Sequence, residues 1–193
     1  MKKGRLEAFS DGVFAIIITI MVLEIKAPHG KELSDLKELI PLFLSYTLSF
    51  IYLGIYWNNH HHMMHTVNKV TGDVLWANLH LLFWLSLVPF ATSWIGENNF
   101  SAMPMAVYGF VLLMAGTAYV ILQTRIIRNE GKNSVLAKAI GKDMKGKLSP
   151  VFYILAIGSS WISSWISGAL YVLVAFMWLI PDKRIEKVLD ETE

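Results

Sequence analysis

Cysteine is absent from the 193 residues, which excludes disulfides, thiolate metal centres and thiol catalysis together. Charge is scarce as well: Asp, Glu, Lys and Arg make up 17% of the chain, against about 25% in an ordinary soluble domain. Hydrophobic residues account for 54% and the mean hydropathy is +0.47. Such a chain reads as an integral membrane protein. The net charge is only +2 and the 17 Lys and Arg residues sit in clusters, so the continuous basic face that grips nucleic acid is missing. The Ser, His and Asp residues fall in no catalytic spacing that would give a nucleophile its base and its orienting group. Neither an enzyme nor a cofactor is expected.

The start MKKGRLEAFSDGVFAIIITIMVL has the basic-then-apolar layout of a secretory signal, but Glu7 and Asp11 interrupt it and no small-x-small cleavage site follows. It is read as a membrane span. Crossing the hydrocarbon layer takes roughly 17–25 mostly apolar residues, and segments 9–25, 39–57, 74–95 and 102–122 supply them. The apolar run 151–180 would make a helix of about 45 Å, too long for one crossing without steep tilt. It is expected to fold back near Ser164–Gly168 as two short helices, 150–164 and 167–181. The expected fold is therefore all-α, one transmembrane domain over residues 1–193 with six transmembrane helices.

Lys and Arg accumulate on the cytoplasmic side of membrane proteins. With six spans and a cytoplasmic N-terminus, only Lys26, Lys31 and Lys37 of the 17 basic residues fall outside. Five spans would also move Lys183, Arg184 and Lys187 outward, so six spans with both termini cytoplasmic, in the cell membrane, is the better arrangement. In RNEGKNSVLAKAIGKDMKGKL the apolar residues Val135, Leu136, Ala139, Ile140 and Met144 stand near helical spacing among lysines. This segment is either a solvated basic loop or a helix lying against anionic membrane lipid.

On a wheel at about 100° per residue, Phe9, Gly12, Thr19, Ile20 and Leu23 fall on one stripe with Ile16. Ser10 and Asp11 fall about 120° and 140° away from it, to either side of the opposite face. One orientation of the helix cannot aim both sets at the same space. An aliphatic stripe reads first as lipid-facing or packing surface. A carboxylate at the mouth of an apolar span is an ion ligand, a snorkelling or capping group, or an anchor to a partner on another helix.

The stretch RLEAFSDGVFAIIITIMVLEI resembles the first helix of the transmembrane-protein-175 family of potassium channels, the lysosomal potassium channel family, whose mark is an Arg followed by Phe-Ser-Asp: here Arg5, Phe9, Ser10 and Asp11. The likeness runs on through YWNNHHHMMH and NLHLLFWLSLVPFATSWIGE and covers essentially the whole chain. It implies a potassium-selective cation channel without a glycine-rich filter, built as a homotetramer of six-span units with the first helix lining a central pore. Carried over by position, it implies a hydrophobic constriction at Ile16, Ile20 and Leu23, with Thr19 at a polar pore position linked to selectivity. Potassium is then the permeant ion. It also implies that Ser10 and Asp11 join an interhelical network with Arg5, Phe9, Trp57, His60 or His61, and Asn78.

Other motifs have plainer readings. In HHHMMH, His61 and His65 stand at i, i+4 with Met63 and Met64 nearby, an incomplete ligand set that reads as a polar helix end rather than a metal site. A small cation or transition-metal transporter using this segment is the alternative function. Ala156, Ser160, Ser164 and Gly168 recur every fourth residue, which suits close helix packing if the helix is continuous. Pro89 predicts a kink in the third span.

Overall fold

The computed structural model describes residues 2–140 and 143–179. These residues form helices and connecting turns with no strand. The order is α1 (Lys3–Leu23), a 3-10 segment (Leu33–Leu39), α2 (Ile40–His65), α3 (Gly72–Ser86), α4 (Val88–Glu97), α5 (Ala102–Glu130), α6 (Val135–Ile140), α7 (Met144–Ser159) and α8 (Ser164–Leu179). Among the described residues four stretches are long and apolar enough to cross a membrane: Lys3–Leu23, Leu33–His65, Gly72–Glu97 and Ala102–Glu130. The protein is thus a multi-pass, all-helical membrane protein. Lys142, Lys183, Arg184 and Lys187, which enter the charge argument, lie outside the described residues, as do positions 180–181 of the expected last span.

The run FAIIITI in α1 is rich in β-branched residues, which are mediocre helix formers in water. In hydrocarbon the backbone must satisfy its own polar groups, so a single spanning segment has to be helical. Its buried residues Leu6, Ser10, Phe14, Ile17 and Met21 recur every three or four positions and form one face. That face packs on α2, α3 and α4. α5 lies between α3 and α4 on one side and α7 and α8 on the other, and α2 touches both α4 and α8. α1 therefore sits at the edge of the bundle, with one face in and one face out.

α2 starts with a proline in its first turn, where the missing N–H costs nothing, and runs on to His65 rather than stopping near residue 57. α5 likewise extends past residue 122 to Glu130. Both extensions carry the polar ends of helices whose apolar middles were visible in the sequence. The kink expected from Pro89 is present as an interruption at Leu87 between α3 and α4. Proline cannot donate to the Leu85 carbonyl, and the Leu87 amide instead closes a short turn onto Trp84 O at 3.2 Å.

The fold-back of the last apolar run comes earlier than Ser164–Gly168. α7 ends at Ser159, α8 begins at Ser164, and the amides of Ile162 and Ser163 both reach back to Ser159 O, at 2.9 and 2.8 Å. The break divides the small-residue series, leaving Ala156 on α7 and Ser164 and Gly168 on α8. The segment between α5 and α7 holds the short α6, with Leu136 and Ala139 buried.

Helices approach closest where side chains are smallest. A Cβ on Gly96 of α4 would lie 2.5 Å from the Leu42 Cα of α2, so only glycine permits this crossing. Next to it Ser45 Oγ donates to Thr92 O at 3.1 Å, and Thr92 Oγ1 donates to Ser49 Oγ at 2.7 Å. The turn after α4 passes through Asn99 and Phe100, both in the left-handed region at φ 48° and 57°.

Candidate functional site

α1 presents two chemically different surfaces. Ile16, Ile20 and Leu23 are 58%, 42% and 75% exposed in the single chain, and Phe9 and Thr19 are exposed beside them. This is the stripe drawn from the wheel, and it faces away from the bundle because the opposite face is occupied by α2, α3 and α4. Thr19 Oγ1 donates back to its own helix, to Ala15 O at 3.0 Å and Ile16 O at 2.9 Å. Its proton is thereby occupied, and its remaining lone pair is available outward to a cation or water. An open groove runs beside the stripe, floored by Val13, Ile16 and Ile20 and walled by Pro89, Phe90 and Trp94, with Glu24 and Glu97 at its rim.

The other surface is fastened by hydrogen bonds in two branches. In the inner branch Asn78 Nδ2 donates to Ser10 Oγ at 2.9 Å, Ser10 Oγ donates to Leu6 O at 2.9 Å, and Asn78 Oδ1 stands 2.7 Å from His60 Nε2. Ser10, His60 and Asn78 are all buried. An amide oxygen only accepts, so His60 is the donor through Nε2. This branch ties α1, α2 and α3 together, and the Phe14 ring packs on the His60 ring at 5.8 Å.

The outer branch runs from Asp11 Oδ1, which accepts from Trp57 Nε1 at 3.0 Å. His61 stacks on Trp57 with ring centroids 6.0 Å apart, and His65 Nε2 lies 3.1 Å from His61 Nε2. Asp11, Trp57, His61 and His65 are exposed. So His60, not His61, is the histidine that meets Asn78. His61 belongs to the Trp57 side, about 100° further round the helix.

Two expected members stand apart from this network within the chain. Arg5 is exposed and its guanidinium makes no hydrogen bond or ion pair among the described residues, and Phe9 lies on the stripe side. A contact that sequence reasoning missed replaces Arg5 at the same end: Lys3 Nζ donates to His65 O at 2.8 Å and stands 3.9 Å from Glu7. Lys3 and His65 are 62 positions apart, and nothing local in the sequence pairs them.

HHHMMH is divided among three environments. His60 goes to Asn78, His61 and His65 to the surface, while Met63 and Met64 are buried in the core. Among the described residues no group of three His, Asp or Glu side chains converges as a metal site. The methionines are packing, so the segment does not form a mixed nitrogen and sulfur centre.

A family model described as the endosomal/lysosomal potassium channel TMEM175 matches residues 5–89, the stretch that carries α1, both branches of the network and the proline break. A protein called potassium channel HX13_20290 from Chryseobacterium sp. is 59% identical over 191 residues, covering 99% of this chain and 100% of its own. The chain belongs to the TMEM175 family. That family is one of ion channels and not of enzymes, in keeping with the missing catalytic constellation. A second relative, called potassium channel Cha6605_3372 from Chamaesiphon minutus, is 33% identical, covering 91% of this chain and 93% of its own. A crystal structure of a lysosomal potassium-selective channel TMEM175 homolog from Chamaesiphon minutus superposes with a TM-score of 0.79 at 30% identity, covering 93% of this chain and 97% of that one. The helical arrangement described above is therefore the family's.

Proposed function

We propose that the protein is a potassium-preferring cation channel of the cell membrane, a homotetramer of six-span protomers with both termini cytoplasmic and α1 around a central pore. The observation that carries this reading is the exposed Ile16, Ile20 and Leu23 stripe on a helix whose other face is pinned by Ser10 and Asp11. A free-standing aliphatic stripe beside a groove walled by α4 invites copies of the same helix, and four copies would bring three rings of branched side chains together. Such rings offer an ion nothing in exchange for its water, so a narrow ring dewets and dehydration is the barrier. Opening would splay or rotate α1 against the bundle. The relatives called potassium channels support potassium as the ion.

Thr19 is the one polar group of the stripe, and its outward lone pair would replace part of the hydration shell at the ring. Potassium loses that shell more easily than sodium, which gives the preference a physical basis. Membrane lipid would surround the tetramer, and α6 would face the inner leaflet. Of the transporter alternative's ligands, Met63 and Met64 are taken up by core packing, which leaves His61 and His65 at the surface.

The deciding experiment is flux of potassium and of sodium into liposomes containing the full chain, compared with Ile16→Asn. A hydrated ring in place of a dry one raises basal conduction by an order of magnitude or more, since each roughly 1.4 kcal/mol removed from the barrier is tenfold in rate. Unchanged conduction in Ile16→Asn would remove α1 from the pore.

A further inference from the structure

The pair His61 and His65 has no part in the pore reading or in the buried network, yet its geometry is specific. The two residues are a turn apart on α2, both exposed, with Nε2 atoms 3.1 Å apart and ring centroids 4.5 Å apart. Two nitrogens held at about 2.0–2.1 Å by a tetrahedral zinc ion are roughly 3.3 Å apart, and two cis nitrogens of a square-planar site roughly 2.9 Å. The observed separation lies between the two.

We propose that His61 and His65 form a two-point chelate for a divalent transition-metal ion of the zinc or nickel class, at the end of α2 that meets the start of α1. In the metal-free state one Nε2 carries the hydrogen and donates it to the other. On binding, that ring passes to its Nδ1–H tautomer, both Nε2 lone pairs go to the metal, and no net proton is released. Water completes the coordination, because Met63 and Met64 are buried and no third His, Asp or Glu of the described residues converges there. Stacking of His61 on Trp57 limits the motion of one ring, so less side-chain entropy is lost on chelation than at a pair of free histidines. Two neutral imidazoles favour the later first-row ions and leave magnesium, which demands oxygen ligands, unbound. The Lys3 ammonium, bonded to the His65 carbonyl and beside Glu7, keeps the local field modest, so the site is weak and exchangeable rather than a structural metal centre.

The test is calorimetric titration of the purified full chain, free of any polyhistidine tag, with Zn2+ and with Ni2+, and Mg2+ as control. The parent takes up one ion per chain. His61→Ala and His65→Ala each weaken binding at least about tenfold, the loss of one of two ligands, and His62→Ala stays within about twofold. His65→Gln, which keeps a polar side chain at the helix end, gives the same loss as His65→Ala. Absence of zinc and nickel binding in the parent, binding unchanged by both single substitutions, or a loss in His62→Ala as large as in His61→Ala would overturn the assignment.

Discussion

Asn78 is the point on which the attachment of α1 depends, and Asn78→Ala isolates it. Its side chain is fully buried and makes two hydrogen bonds, to Ser10 at 2.9 Å and to His60 at 2.7 Å. Between membrane helices a hydrogen bond is worth about 0.6 kcal/mol on average and at most about 1.7, so the two bonds alone account for roughly 1–3 kcal/mol. Ser10 keeps its own donation to Leu6 O and is orphaned only as an acceptor. His60 is worse off: a buried ring N–H left without a partner costs about 1–3 kcal/mol. The desolvation term is therefore of the same size as the lost bonds, and the total should be about 2–6 kcal/mol. Reversible unfolding in mixed micelles measures it. Ser10→Ala combined with Asn78→Ala closes a double-mutant cycle, whose coupling should be about 0.5–1.5 kcal/mol for a direct contact. A loss below about 0.5 kcal/mol for Asn78→Ala, or a coupling near zero, would refute the view that this branch holds α1 to the bundle.

Trp57→Phe, which removes the indole N–H that reaches Asp11 from a residue 44% exposed, should cost less than about 1 kcal/mol in the same unfolding assay, because water takes the vacated place. Gly96→Ala places a methyl 2.5 Å from the Leu42 backbone, so α2 and α4 must separate; a loss of about 1–3 kcal/mol and a lower melting temperature are expected, whereas Gly158→Ala, which meets nothing within 4 Å, should be neutral within about 0.5 kcal/mol. Thr19→Ala should leave potassium flux measurable in liposomes but lower its ratio to sodium flux; an unchanged ratio would take the threonine hydroxyl out of selectivity.

Much of this molecule is legible without coordinates. The first four apolar runs coincide, apart from their polar extensions, with the four described stretches long and apolar enough to cross a membrane, since hydrocarbon leaves a lone segment no other way to satisfy its backbone. Pro89 announced the interruption between α3 and α4, because a missing N–H is a covalent fact. The last fold-back was placed several residues too late. Between Ser159 and Ser164 there is no proline, only serines and apolar residues equally at home in a helix, so the position of the turn follows from how α7 and α8 pack on each other and on α5 and α2.

The first helix shows the same division most sharply. A period of 3.6 residues settled that Ile16, Thr19, Ile20 and Leu23 share a face and that Ser10 and Asp11 do not belong to it, because helix geometry is local. Which face would be buried was decided by α2, α3 and α4, and so was the choice among three consecutive histidines. His60, His61 and His62 are chemically identical and about 100° apart on the helix; only the rotation of α2 about its axis turns His60 toward Asn78 and leaves His61 on Trp57. Lys3, rather than Arg5, meets the end of α2 for the same reason: the partner is a carbonyl 62 residues away, brought there by packing that no local pattern encodes.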